Sequence, residues 1–265
     1  MTETQTTNVP RTGVRGSLLT AAVLLASLGL AGCTGTPAPG ATASGGTTPV
    51  TSSAAGCAEA SAIDGIVMAQ LSGPPSDAGL LTVADAYQKV ADAAETANPA
   101  VHHAAMTAAD ALTQAVKDGT GPAALEDPAY GQAAGELGKF VFDECGYQTL
   151  PVTAKDFEFV GLPDSIGAGI SVVQLSNKGE NPHVVEISLI PDAATTVKDI
   201  IADPSAAMAS GLVKPVAGGA FTTPGALGYL TAKLEPGRYI VTCMIPDSEN
   251  KPHAMHGMYH ELTVQ

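Results

Sequence analysis

Gly237-Arg-Tyr-Ile-Val-Thr-Cys243 runs into Met244-Ile-Pro-Asp-Ser-Glu-Asn-Lys-Pro252 and then into His253-Ala-Met-His-Gly-Met258. The first part enters from the turn Glu235-Pro-Gly237 and is rich in β-branched and aromatic residues, which predicts a strand ending on a cysteine. The last part offers two imidazoles and a thioether. Upstream, Asn177-Lys-Gly-Glu-Asn-Pro-His183 adds a further imidazole at the mouth of another apolar run. The pattern is His…Cys-x9-His-x4-Met, with His183, Cys243, His253 and Met258 in order. A soft thiolate, two imidazoles and a weak thioether suit a single copper ion that alternates between Cu(I) and Cu(II). Cu(I) prefers soft donors and Cu(II) prefers imidazole nitrogen, so such a set serves both states with little rearrangement. His256 lies three residues after His253 and is an alternative second imidazole ligand; His260 follows it.

Working outward, two-residue alternation recurs from Pro151 onward. Strands are predicted around Val152–Phe159, Ile170–Ser176, Val184–Ile190, Ala226–Leu234, Arg238–Met244 and Tyr259–Val264, with one short helix near Val197–Ala202. Short strands separated by Gly/Pro turns over residues 151–265 indicate an antiparallel β-sandwich. This segment resembles the cupredoxin, or blue-copper, family. The resemblance is densest at Pro182-His183 and at Gly237-x-Tyr-x-x-x-Cys243 before the ligand loop. It implies a Greek-key sandwich with one mononuclear copper at one end, held by His183, Cys243, His253 and an axial Met258. The chain departs from the family at Val184, where a small polar residue usually follows the first histidine, and in its long ligand loop with Asp247 and Glu249.

Before the sandwich the period is helical. Ile63, Ile66, Val67 and Leu71 share one face; Leu80, Leu81, Ala84, Tyr87, Ala91 and Ala94 share another; Val101–Val116 is an Ala-rich third segment; Tyr130, Ala134, Leu137, Val141 and Cys145 form a fourth. Four helices in residues 57–149 with short connections predict an up-down-up-down bundle. In that topology the start of the first helix and the end of the fourth lie together. Cys57 and Cys145 occupy those places, so an oxidising compartment predicts a disulfide between them. His102-His103 point about 100° apart on a helix and read as flank histidines.

The compartment follows from the N-terminus. Arg11 and Arg15 precede the apolar run Ser17–Ala31, which is 15 residues long and too short to span a bilayer. It reads as a secretory signal over residues 1–32. Its end, Leu30-Ala31-Gly32-Cys33, resembles a bacterial lipobox, which implies lipid on Cys33 and a membrane anchor at the extracytoplasmic face. Residues 33–56, made mostly of Thr, Pro, Ala, Gly and Ser, read as a flexible tether.

Composition bounds the partners. There are 26 acidic against 12 basic residues, a formal charge of −14, which argues against nucleic acid and favours a basic redox or copper-trafficking protein. Removal of residues 1–32 takes two arginines and one glutamate, which moves the charge to −15. No Ser/His/Asp arrangement, phosphate loop or second copper ligand set stands out, so an enzyme is not expected. Three readings remain at this point: electron transfer through copper, copper buffering or delivery, and a copper-free scaffold or adhesion module of the envelope.

Overall fold

Four helices come first, and the last three are each begun by a side-chain cap. The computed structural model describes residues 54–71 and 73–265. The predicted signal, Cys33 and tether residues 33–53 lie outside the described residues. Helix α1 (Cys57–Leu71) is followed by α2 (Asp77–Ala94), α3 (Pro99–Lys117) and α4 (Pro128–Glu144), with a 3-10 turn at Gly121–Glu126. Ser76 accepts from the N–H of Gly79, Asn98 from Val101 and Asp127 from Ala129. Pro99 and Pro128 stand just inside α3 and α4, where a missing N–H costs nothing. Leu80, Val83, Ala84, Tyr87, Val90 and Ala91 of α2 pack with Val101, Ala105, Ala108 and Leu112 of α3. Leu81, expected on the buried face of α2, is instead exposed. Small alanines let these helices approach closely. Cys57 and Cys145 are joined, with Cα atoms 5.5 Å apart, across the start of α1 and the end of α4.

The sandwich contains nine strands: β1 (Gln148–Lys155), β2 (Glu158–Val160), β3 (Ser165–Ile166), β4 (Gly169–Asn177), β5 (His183–Leu189), β6 (Lys214–Thr222), β7 (Leu227–Leu234), β8 (Gly237–Thr242) and β9 (Tyr259–Val264). Short helices α5 (Val197–Ile201) and α6 (Pro204–Ser210) lie between β5 and β6. One sheet has the order β2-β1-β4-β7 and the other β3-β9-β8-β5-β6. The expected sandwich is present, but its pairing is mixed and not antiparallel throughout: β1 runs parallel to β4, and β3 parallel to β9. Leu150, Val152, Leu175, Val185, Ile187, Leu230, Val241 and Leu262 fill the space between the sheets.

Strand β6 has no counterpart in the sequence-based strands. Its Pro215, Gly218 and Gly219 read as loop residues. Pro215 is tolerated because β6 is the sheet's edge, where one side of the strand has no ladder partner. The pairing of β5 with β6 is also irregular, with register shifts after His183 and after Ile187.

The helices do not stand apart from the sheets. Val172 of β4 is fully buried in the bundle's own core, while its neighbour Val173 is buried between the sheets. Burial on both faces breaks the strict alternation expected of β4, as a central, covered strand should. Asp64 of α1 accepts the backbone N–H of Thr231 in β7 at 2.6 Å. The Phe142 and Tyr229 rings meet at 6.0 Å. Gly138 of α4 has no Cβ because one would lie 2.5 Å from the Tyr229 Cβ. The described residues fall within one compact unit.

Candidate metal centre

Three neighbouring strands of one sheet bring the donors to one end of the sandwich. His183 opens β5, Cys243 follows the last residue of β8, and Met258 immediately precedes β9. Because β8 pairs with both β5 and β9, the strand ends converge. Cys243 donates its backbone N–H to Met258 O at 3.1 Å, which closes the ligand loop at its base.

That loop is long but internally bonded. Ala254 N–H reaches Cys243 O at 2.9 Å and His253 N–H reaches Ile245 O at 3.0 Å. Asp247 accepts the N–H groups of Glu249 at 2.8 Å and Lys251 at 2.9 Å. These bonds hold its carboxyl below the usual carboxylate range, with the Lys251 N–H foremost. A 3-10 turn over His253–His256 and a left-handed Gly257 then return the chain to β9.

His183, Cys243 and His253 are all buried and offer ligand atoms within 4.8 Å of one another. Cys243 Sγ lies 3.9 Å from His183 Nδ1 and 3.5 Å from His253 Nδ1; the two Nδ1 atoms are 3.3 Å apart. A point equidistant from all three lies about 2.1 Å from each, within the range of bonds from a first-row metal to nitrogen and sulfur. The donor set therefore fits a small, thiophilic ion such as copper. Met258 is wholly buried in the same core cluster as Cys243. His256 does not join the group: its Nε2 pairs with Asp247 Oδ2 at 2.7 Å and its side chain is 34% exposed. His260 bonds the Pro163 carbonyl. In the bundle His102 bonds the Ala91 carbonyl at 2.9 Å and His103 is exposed.

Burial sets the protonation of the metal-free site. It pulls both imidazoles below the usual histidine range; at His253 the nearby His183 adds to the effect. It pushes the Cys243 thiol up. Two neutral imidazoles are ready to donate lone pairs, whereas the thiol must lose its proton as an ion enters.

Two residues that the sequence placed within a strand, and not at the site, touch the ligands. Asp156 and Phe157 form the turn between β1 and β2, where Lys155 pairs with Glu158. Asp156 Oδ1 lies 3.4 Å from His183 Nε2. Phe157 meets the His253 ring edge-on, with centroids 5.0 Å apart. Buried Asn177 supports the segment before His183, donating to Asn181 O at 2.8 Å and to Thr222 O at 3.2 Å. The strand expected over Val152–Phe159 is corrected here: it breaks at Asp156-Phe157 into β1 and β2, and the turn's approach to residues far along the chain leaves no local signal.

No family model and no curated protein matches this chain. Solved structures similar to it include auracyanin from Roseiflexus castenholzii, at 17% identity over 45% of this chain and 98% of that one, with a TM-score of 0.34. Auracyanin B is similar at 21% identity over 44% of this chain and 88% of the other, with a TM-score of 0.32. Rusticyanin from Thiobacillus ferrooxidans is 24% identical over 45% and 79% of the two chains, with a TM-score of 0.29. Similarity at these levels carries no functional weight. The C-terminal domain itself consists of two packed sheets, with a buried His/Cys/His group where three strand ends meet.

Proposed function

We propose that this protein is a lipid-anchored, extracytoplasmic copper protein that carries electrons through one mononuclear site. The buried triad of His183, Cys243 and His253 is the observation that carries this reading. Copper supplies a one-electron couple. The chain's residues hold the two imidazole nitrogens and the sulfur at near-equal spacing, and the bonds within the 243–258 loop keep that spacing from relaxing. Burial of all three side chains keeps water away, so reorganisation on electron transfer is small. The apolar run ending in Leu30-Ala31-Gly32-Cys33 supports export and acylation at the bacterial cell membrane. The excess of acidic residues supports a basic protein partner whose association weakens with salt.

Copper buffering or delivery is a second reading, favoured by Met255, which is 42% exposed beside His256. One experiment separates these. The full chain is purified, Cu(II) is added and the visible spectrum is recorded. Electron transfer requires an intense thiolate-to-copper band, lost in Cys243→Ala, and reversible voltammetry. Tight Cu(I) binding without the band supports delivery. No uptake of either ion overturns both and leaves the copper-free scaffold.

A further inference from the structure

We propose that the β1–β2 turn, Asp156–Phe157, is a clamp that positions both histidine ligands and closes the route by which metal enters and leaves. The inference rests on the copper reading above, and its test distinguishes the two. Phe157 has φ of +64°, a left-handed conformation that bulky residues avoid. The second central residue of such a turn is ordinarily Gly or Asn. An aromatic side chain held there at a backbone cost points to a use for the ring.

The ring's contacts supply that use. It meets His253 edge-on at 5.0 Å, with the planes at 86°, and meets His256 at 4.9 Å. His253 is 2% exposed, whereas His256 reaches solvent. Phe157 is thus packed against the buried ligand on one hand and the surface histidine on the other. The ring holds the His253 imidazole in place and walls it from water.

Asp156 does the corresponding work on the other ligand. Its carboxylate accepts the backbone N–H of Glu180 at 3.0 Å, the backbone N–H of Asn181 at 3.1 Å and the Asn181 side-chain amide at 3.1 Å. So anchored, it faces His183 Nε2. The contact, 3.4 Å long, is a charge proximity and not a formed hydrogen bond; a carboxylate in that place favours a proton on the outer nitrogen and leaves the Nδ1 lone pair aimed at Cys243 and His253. Gly179 makes room for the arrangement, since a Cβ at that position would lie 2.5 Å from Asp156 Oδ1 and 3.0 Å from His183 Nε2. Two consecutive residues of one turn therefore grip two ligands that come from distant parts of the chain.

Phe157→Gly tests the clamp, because glycine accepts the positive φ while removing the ring. Phe157→Tyr keeps the ring. In the full-length, metal-free protein the alkylation rate of Cys243 is followed by mass spectrometry on its own peptide, so that Cys33 does not interfere. In the copper-loaded protein, release to a chelator is timed. Phe157→Gly is expected to alkylate and to release copper about tenfold faster than the parent, with Phe157→Tyr restoring parent rates. Asp156→Asn is expected to weaken copper retention about tenfold and to raise the reduction potential, because a negative charge beside a ligand is lost. If Phe157→Gly fails to fold, Phe157→Asn, which also tolerates the left-handed region, takes its place. Parent rates in the ring-less variant overturn the clamp. If the parent takes up no copper, the copper reading fails, and Cys243 alkylation alone decides whether the turn closes the site.

Discussion

In the helical bundle two cysteines meet each other; in the sandwich Cys243 meets two histidines. Both regions fold in the same chain and share one compact unit, yet the thiol has a different fate in each. Cys57 and Cys145 lie at the partly exposed joint of two helix ends, where their Cα atoms fall at cross-linking distance. Cys243 is fully buried at the end of a central strand, with two imidazole nitrogens and the backbone of Val184 and Ile245 around its sulfur. Residue type decides what a thiol is able to do. Position within the fold decides which chemistry it meets.

The contrast is most strongly tested by removing the disulfide. Replacing both Cys57 and Cys145 by Ala releases a link spanning 88 residues, and unfolding free energy measured in urea should fall by roughly 3–5 kcal/mol. The copper spectrum of the remaining folded protein should not change. A changed spectrum would break the separation between a structural and a metal-binding cysteine.

Asp64 sharpens the comparison at the joint between the two regions. Burial pushes its carboxyl from the usual 3.8 up to about 6. A raised carboxyl pKa means the folded state binds the proton more tightly than the unfolded chain. That stabilisation is complete below about pH 4 and is lost as the pH rises through about 6. Asp64→Asn removes the titration, so at pH 7–8 the variant should be more stable by on the order of 1–3 kcal/mol. The gap should close near pH 4, as read from paired thermal melts. Equal stability of variant and parent at both values would show that the carboxyl is not buried at this joint.

Gly138→Ala probes the same joint sterically. Its Cβ would meet that of Tyr229 at 2.5 Å, so helix α4 must shift away from the sheet at a cost of about 1–3 kcal/mol. The copper spectrum is expected to stay unchanged, since Tyr229 lies on the helix-covered sheet and the ligands come from the other. The smallest effect is expected at His256→Ala: stability within about 0.5 kcal/mol of the parent and an unaltered visible band. Loss of the band would return His256 to the ligand set in place of His253.

Much of this architecture was legible because local chemistry and tertiary structure agree. Asn98-Pro99 and Asp127-Pro128 begin helices for reasons contained within a few residues. The ligand loop announced itself because its donors are close in sequence. Strand β6 was not legible, since Pro215 and the two glycines carry no strand signal and only their place at the edge makes pairing acceptable. Leu81 was misplaced because the apolar pattern along α2 permits more than one face, and packing against α3 selects Leu80 and Val83. The approach of Asp156 and Phe157 to the histidines was invisible, being a contact between a short turn and segments that follow much later in the chain.

The sequence by itself determined the kinds of element, the change from helical to strand period near residue 150, and the donor types Cys, His and Met. These follow from side-chain chemistry and from periodicities that each segment carries alone. Only the tertiary structure decided that His253 rather than His256 faces Cys243, that β4 is covered on both sides, and that a phenylalanine in a turn walls the site. Those outcomes depend on which surfaces meet, and the meeting is set by packing of the whole unit rather than by any single stretch of chain.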